Sequence, residues 1–572
     1  MELLDGKRWQ VKLRVPVAYL SALPSVHPLL AQILFNRGIA AKDALELLNG
    51  HKPQDDDPFL MRDIDSAVSL IREVILNKEP IIIYGDYDVD GVTSAAILKR
   101  VLESIGAVVD VYIPNRADEG YGLNRQALIA LFEDGVRLLI TVDCGVRSVD
   151  EIDLAQRLGM RVIITDHHNV NDILPPADAI INPKQSGCTY PFKDFAGVGV
   201  AYKLAQALIR KNRTVPLSTT IRDIDEASLL DMVALGTVAD MVPLVGENHY
   251  LVSAGLEQIN AGHHAGLSAL MQVVGIKPGA ITAKSIGFNL SPRLNAAGRI
   301  SEAMNALDLL LAPDMMNALP LAKKLDALNI ERRTLTQHVR DKAREMVLEN
   351  EMSQFLIFTA SEDFSSGVVG LAASRLVDEF YRPAVVISID GEYSKGSARS
   401  IPEFHITEAL DAVPGLLIRH GGHAAAAGFT IQTSLLPELE HRLYDLAKAQ
   451  LEGLNLIPKF AIDADVALED LSWDVYHELQ RLEPYGFGNP QPVFMSRKIH
   501  VCDARAVGFS GRHLKFTVED KLGTRWDAIA FQQGYWDGRI PTYVDIAYLL
   551  ERNEWNGRIK LQLNVKDIHF SL

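Results

Sequence analysis

Cysteine is scarce in this chain of 572 residues: only Cys144, Cys188 and Cys502 occur. They stand too far apart for a disulfide framework or a paired-cysteine zinc site. Long apolar runs are missing too, and no stretch approaches the ~18 residues of a membrane span. The opening Met1-Glu2-Leu3-Leu4-Asp5-Gly6-Lys7-Arg8 places charges where a signal peptide would need an apolar core. These absences predict a reducing, cytoplasmic setting without a membrane partner. Internal repeats and low-complexity tracts are also lacking. Positive charge is in deficit, with 57 Lys and Arg against 73 Asp and Glu and a net charge of −16. A deficit of this kind opposes phosphate binding, but local distribution outweighs the total. Residues 491–572 hold 12 Lys and Arg against 9 Asp and Glu, together with Trp526, Trp536 and Trp555, three of the five tryptophans.

What is present is a repeated alternation. Pro80-Ile81-Ile82-Ile83-Tyr84 reads as a buried strand, 91–105 as a helix, and Val108 to Ile113 as the next strand. A helix over 123–134, a strand at 138–142, a helix at 148–158 and a strand at 161–164 follow. Continuous apolar strands separated by helices imply a parallel sheet covered on both faces. Helical patterns dominate 197–350 and end in a charged stretch, Lys323 to Glu349, that reads as a connecting helix. A second α/β pattern has strands at 355–358 and 384–388 around a helix at 367–378. Beyond 455, short strands, turns and aromatics suit a small OB-type barrel.

Three predicted strands end in potential metal ligands. Gly85-Asp86-Tyr87-Asp88-Val89-Asp90-Gly91 follows the first, Asp143-Cys144-Gly145 the third and Asp166-His167-His168 the fourth. In an open parallel sheet the carboxyl ends of the strands line the binding crevice, so these clusters should converge. A lone Asp in such a loop is usually a helix N-cap, and the alternate aspartates lack the Glu that closes a calcium-binding EF-hand loop. Three clusters at equivalent strand ends predict a di-metal site instead. Carboxylates with imidazole suit Mn²⁺ or Mg²⁺. Asp240, expected near the C-terminal end of an apolar helix over 229–240, would oppose the helix dipole unless a cation reversed the cost.

These residues resemble the four motifs of the DHH phosphoesterase family, carried by Asp86 to Gly91, Asp143, Asp166-His167-His168 and Asp240. Gly421-Gly422-His423-Ala424-Ala425-Ala426-Ala427-Gly428 resembles the signature of the DHHA1 domain that follows it. Ile113-Pro114-Asn115-Arg116 with Glu119 to Leu123, Pro292-Arg293-Leu294-Asn295-Ala296-Ala297-Gly298-Arg299, and Glu483 to Pro490 narrow the resemblance to the single-strand-specific exonucleases of that family. The resemblance covers nearly the whole chain. It implies an α/β multidomain protein: a DHH parallel-sheet domain and a smaller DHHA1 domain joined by a long helix, with a C-terminal OB-type barrel. The boundaries expected are a helical lead-in at 1–60, the DHH domain with a helical extension at 61–300, connecting helices at 301–350, DHHA1 at 351–452 and the barrel at 453–572.

The resemblance further implies that Asp86, Asp88, Asp90, Asp143, His167 and Asp240 hold two Mn²⁺ or Mg²⁺ ions, with Asp143 as a bridge. How Asp86, Asp88 and Asp90 divide between the ions is left open. His168 is expected at the scissile phosphate, or else as a residue that orients Asp166. Arg116, Arg293 and Arg299 are expected to recognise a 5′ phosphate, since arginine binds phosphate oxygens bidentately. Ser366, at the expected start of a helix, and the Gly422-His423 loop are expected to form a second wall of the substrate groove. The implied activity is 5′-to-3′ hydrolysis of single-stranded DNA to 5′-mononucleotides in recombination and repair, with single-strand-binding protein and a DNA helicase as partners. Two alternatives stay open: a phosphodiesterase for short oligonucleotides or cyclic dinucleotides, and a non-catalytic single-strand-binding scaffold.

Overall fold

A computed structural model describes residues 6–49, 57–115, 122–217, 224–349, 354–555 and 557–571. The chain forms two compact units, one of residues 52–337 with 484–490, the other of 1–51, 338–483 and 491–572. No helix among the described residues is long and apolar enough to cross a membrane.

The first unit is built on a five-stranded parallel sheet. Its strands are β1 (Ile81–Gly85), β2 (Val109–Tyr112), β3 (Leu138–Val142), β4 (Arg161–Thr165) and β5 (Ala179–Ile181), in spatial order β2-β1-β3-β4-β5. Both faces are covered, because successive side chains of a strand point to opposite sides. Ile81, Ile83, Leu138 and Ile140 enter one apolar core, while Ile82, Tyr84, Leu139 and Val162 enter another. Helices α1 (Val89–Ser104), α2 (Arg125–Glu133) and α3 (Val149–Leu158) connect the strands. The strand order reverses between β1 and β3, where such sheets open a crevice at their carboxyl ends. Three further helices complete the walls: α4 (Gly197–Thr214), α5 (Leu230–Ala239) and α6 (Ser291–Ile300).

The second unit contains a mixed sheet and a barrel. Strands β6 (Ile357–Ser361), β7 (Ala384–Asp390), β8 (Tyr393–Arg399), β9 (Leu417–His423) and β10 (Ala426–Gln432) lie in the order β9-β10-β8-β7-β6, with helix α7 (Val369–Phe380) against β7 and β8. The expected strand at 355–358 begins two residues later, where Ile357 finds Ala384 as its partner. In the barrel, β11 (Phe494–Val507), β12 (His513–Glu519), β13 (Arg525–Ala530), β14 (Tyr543–Trp555) and β15 (Arg558–Phe570) pair as β11-β12-β13-β15-β14, and β11 pairs again with β14 to close the ring. Each of these five strands thus has a partner on both sides, although β13 and β15 meet over only three residue pairs, as suits the partly open barrel of an OB fold.

The N-terminal lead-in is not wholly helical. Arg8–Val11 forms a parallel strand with Lys459–Ile462, and the Trp9 indole N–H donates to Asp567 Oδ2 at 2.7 Å. An edge partner from so distant a part of the chain leaves no trace in local sequence, whereas the helices at 17–22, 28–36 and 41–48 show in their spacing. The charged connector is one continuous helix, Met315–Glu349.

Candidate metal centre

Each acidic cluster is held by backbone geometry that local sequence makes possible. Asp88 is the N-cap of α1, and its Oδ1 accepts from the Asp90 and Gly91 amides at 2.9 and 3.2 Å. Gly91 must lack a side chain, since a Cβ there would lie 2.4 Å from the Asp86 carbonyl oxygen. Asp90 enters the first turn of α1 and is fully buried. Its two carboxylate oxygens accept from the Gly197 amide at 2.6 Å and the Val198 amide at 2.8 Å, the N-terminus of α4.

Asp143 follows β3 with φ of 60°. This left-handed conformation is costly for a residue with a side chain and persists where surrounding contacts over-determine it. Here the Asp143 amide donates to the Thr165 carbonyl at 3.0 Å, and the Thr165 hydroxyl donates to the Thr141 carbonyl at 2.7 Å. Asp166, after β4, is saturated: its Oδ1 accepts from the amides of His167 and His168 and pairs with His168 Nδ1 at 2.8 Å, and its Oδ2 accepts from the Val146 amide. Asp240 is the C-cap of α5, as its sequence position implies.

These anchors bring His167 Nε2 to 3.1 Å from Asp143 Oδ1, 3.7 Å from Asp240 Oδ2 and 3.9 Å from Asp90 Oδ2. Asp143 Oδ1 and His167 Nε2 are buried and make no hydrogen bond among the described residues. Two sets of ligand atoms stand within coordination range of a shared cation: Asp86, Asp88 and Asp143, and Asp90, His167 and Asp240. A third, Asp143 with His167 and His168, joins the two sets through Asp143 and His167.

The electrostatics demand a cation. Burial, then repulsion from Asp90, Asp88, Asp86 and Asp240, drives the Asp143 carboxyl well above the usual range. Burial and the Asp90 and Asp88 charges push Asp240 up to about 9, and burial with Asp88 raises Asp90 to about 7. Burial and neighbouring His168 lower His167 to about 3, so its imidazole is neutral and able to ligate. Asp166 runs the other way: burial alone would raise it, but hydrogen bonding and charge from His168 hold it low. Five crowded carboxylates and a neutral imidazole form a hard-donor set that fits Mn²⁺ or Mg²⁺.

Sequence reasoning missed several contributors. Gly197 and Val198 hold Asp90, and their only local signal is the small-residue run Gly197-Val198-Gly199-Val200. Asn295, within a motif singled out for its arginines, accepts from the Val89 amide at 3.1 Å, and Gly298 sits against the Tyr87 carbonyl. That motif therefore buttresses the loop between Asp86 and Asp90. The segment at 484–490 reaches the same unit, where the Leu244 amide donates to the Phe487 carbonyl at 2.7 Å, close in sequence to Asp240.

The expected phosphate sensors fare unequally. Arg293 is engaged by Asp326 at 2.8 Å and by the Asn289 carbonyl at 2.6 Å. Arg299 lies in the last turn of α6. Arg116, with Glu119 to Tyr121, falls outside the described residues. Ser366 precedes α7, which begins at Val369 rather than 367. Gly422 and His423 belong to strand β9 and its hairpin instead of a loop, with Gly422 so close to β10 that a Cβ would meet the Ala426 carbonyl oxygen at 2.2 Å. Trp526 is buried in the barrel, as core packing requires, and Trp536 packs edge-on against Phe570.

Comparison with known proteins agrees with this architecture. The chain matches the DHH family, N-terminal domain, over residues 80–237, the DHHA1 domain over 353–452 and the RecJ OB domain over 462–567. It is 40% identical to the single-stranded-DNA-specific exonuclease RecJ of Bacillus subtilis (strain 168), covering 99% of this chain and 71% of that one. It is 35% identical to the RecJ of Dickeya dadantii (strain 3937), covering 97% and 98%. Among solved structures, RecJ of Thermus thermophilus in complex with Mn²⁺ superposes with a TM-score of 0.83 at 31% identity, over 99% of this chain and 80% of that one.

Proposed function

Because the chain belongs to the RecJ family of single-stranded-DNA-specific exonucleases, we propose that it degrades single-stranded DNA from the 5′ end and releases 5′-mononucleotides by metal-dependent phosphodiester hydrolysis. The observation that carries this reading is the convergence of Asp86, Asp88, Asp90, Asp143, His167 and Asp240 on one crevice, with mutual repulsion that bound divalent cations would relieve.

The ligand groups support a division between two ions: Asp86 and Asp88 would hold one, Asp90, His167 and Asp240 would hold the other, and Asp143 would be shared between them. Divalent cations bound there supply Lewis-acid stabilisation of charge developing on the phosphate oxygens. The chain's own part is to place and orient. Asp143 is aimed by its strained backbone, and Asp90 is fixed by two amides of α4. Asp166 pairs with His168 Nδ1 at 2.8 Å, which holds the ring in place, and its hydrogen bond and charge outweigh burial to raise the His168 imidazole above its ordinary range. His168 is the residue proposed to donate to the scissile phosphate. Arg116, Arg293 and Arg299 are the residues proposed to select a 5′ phosphate, Arg293 by exchanging Asp326 for it. Ser366, Gly422 and His423 are proposed to contact the strand from the DHHA1 domain, and the barrel to stack on its bases. Single-strand-binding protein and a DNA helicase are the proposed partners, in a cytoplasmic setting.

The test is degradation of end-labelled single-stranded DNA by the full-length protein with Mn²⁺ or Mg²⁺. Release of mononucleotides first from a 5′ label, resistance of duplex, and inactivity of Asp143→Ala are expected. Hydrolysis of short oligonucleotides or cyclic dinucleotides alone would overturn the substrate, and binding without cleavage would establish the scaffold.

A further inference from the structure

The barrel carries another group of metal-ligating side chains, outside the acidic centre. On the antiparallel ladder of β11 and β12, His500 stands directly opposite Glu519. The register then slips between Val501 and Asp503, so Cys502 is the extra residue of a β-bulge. A bulge re-aims the side chain it inserts. Here Cys502 Sγ comes to 3.6 Å from His500 Nδ1 and 3.8 Å from Glu519 Oε2. Tyr543, the cross-strand neighbour of His500 on β14, packs against its ring at a centroid separation of 5.4 Å and helps set its orientation.

The spacing of the three atoms is that of a coordination shell. With zinc-to-sulfur near 2.3 Å and zinc-to-nitrogen or oxygen near 2.0–2.2 Å, a tetrahedron has sulfur-to-nitrogen and sulfur-to-oxygen edges of about 3.5–3.6 Å. The two observed edges lie within a few tenths of an ångström of that value, so little rearrangement separates the side chains from a bound ion. A thiolate also discriminates: it suits zinc-like cations and is a poor ligand for Mn²⁺ or Mg²⁺. We propose that His500, Cys502 and Glu519 form a binding site for a thiophilic divalent cation of the zinc class, chemically separate from the acid-rich centre.

Arg525 sets the strength of this site. Its Nε lies 3.1 Å from Glu519 Oε2, so the guanidinium supplies positive charge where the ion would sit. The arginine is mostly exposed and can turn into solvent when an ion enters. Three protein donors with water in the fourth position, opposed by a competing guanidinium, make an exchangeable site, unlike a closed four-ligand structural zinc site.

The experiment is a Co²⁺ titration of the full-length protein under reducing conditions, read by the thiolate-to-cobalt charge-transfer band. The band should appear in the wild type, persist in Asp143→Ala and disappear on addition of one equivalent of Zn²⁺. Cys502→Ala should lose it completely, His500→Ala should weaken Co²⁺ binding at least tenfold, and Arg525→Ala should tighten it severalfold. Cys502 is exposed, so its replacement by alanine leaves the barrel core intact. Absence of the band in the wild type would overturn the proposal. A band that survives Cys502→Ala would also overturn it, by assigning the thiolate to Cys144 or Cys188. Because the readout is independent of DNA cleavage, this outcome and that of the nuclease assay can differ.

Discussion

Gly197 stands so close to Asp143 that a methyl group on its α-carbon would lie 2.6 Å from the Asp143 Cβ and 2.8 Å from its Oδ1. The two residues come from different elements, the end of β3 and the start of α4, and both touch the same centre, since the Gly197 amide also binds Asp90. Gly197→Ala must therefore displace either Asp143 or the N-terminus of α4. Misplacing a catalytic group by about 1 Å can cost roughly 100-fold in rate, and overpacking of this kind costs about 1–3 kcal/mol in stability. We expect a variant that folds and melts a few degrees lower, with exonuclease turnover reduced by about two orders of magnitude. Unchanged turnover at saturating metal would show that the contact is not needed for alignment.

The metal-stripped protein should lose stability as pH rises. Asp90 and Asp240 are raised to about 7 and about 9 from an ordinary value of 3.8. From about pH 4 up to these raised values the folded state thus retains protons that the unfolded chain has released, so deprotonation opposes folding. The stabilisation is complete below the ordinary carboxylate range and is lost as pH climbs through the raised values. Divalent cations replace the protons, so the gain in melting temperature on adding Mn²⁺ should be larger at about pH 8.5 than at about pH 6. Thermal melts in chelator and in Mn²⁺ across that range measure it, and an equal gain at both pH values would contradict the assignment.

Asp166→Asn should separate positioning from ligation. The carboxylate accepts from three backbone amides and pairs with His168, and an amide side chain cannot reproduce all four contacts. Loss of the charge also removes the interaction that raises the His168 imidazole above its ordinary range. By comparison with other histidine–aspartate pairs, turnover should fall roughly 100-fold or more. The affinity for Mn²⁺ should change much less, since Asp166 is not among the clustered ligands. Isothermal titration of Mn²⁺ beside single-turnover cleavage distinguishes the two, and a loss of metal binding equal to the loss of rate would refute the positioning role.

Away from the centre, Lys203 and Glu247 form a buried ion pair at 2.5 Å, and the Tyr190 hydroxyl donates to Glu247 at 2.7 Å. Removing one partner strands the other charge in the core, at a cost of about 3–5 kcal/mol. Lys203→Met should lower the melting temperature sharply. Adding Glu247→Leu should restore much of the loss. A double variant as unstable as the single one would mean that packing, not charge, dominates there.

Local sequence was enough to dictate four strands of the parallel sheet, the helices between them and the acids at its carboxyl edge. These follow from side-chain periodicity and from short motifs, which need no distant partner. The three-residue β5 (Ala179–Ile181), too short to show a pattern of its own, was not read. Leu138–Val142 reads as a strand alone, and Asp240 reads as a helix end from its own neighbours. Whatever depends on distant residues meeting was settled by the folded chain. The amides that hold Asp90 come from residues 107 and 108 positions away, and Asn295 reaches Val89 across 206. The grouping of Asp86 with Asp88 and of Asp90 with His167 was undecidable from three alternate aspartates. It arises because the turn into α1 sends the first two toward Asp143 at the end of β3, while burial beneath α4 turns the third toward His167 and Asp240. The strand Arg8–Val11 was hidden for the same reason: a strand edge is completed by backbone hydrogen bonds, and those carry no side-chain signature in the sequence.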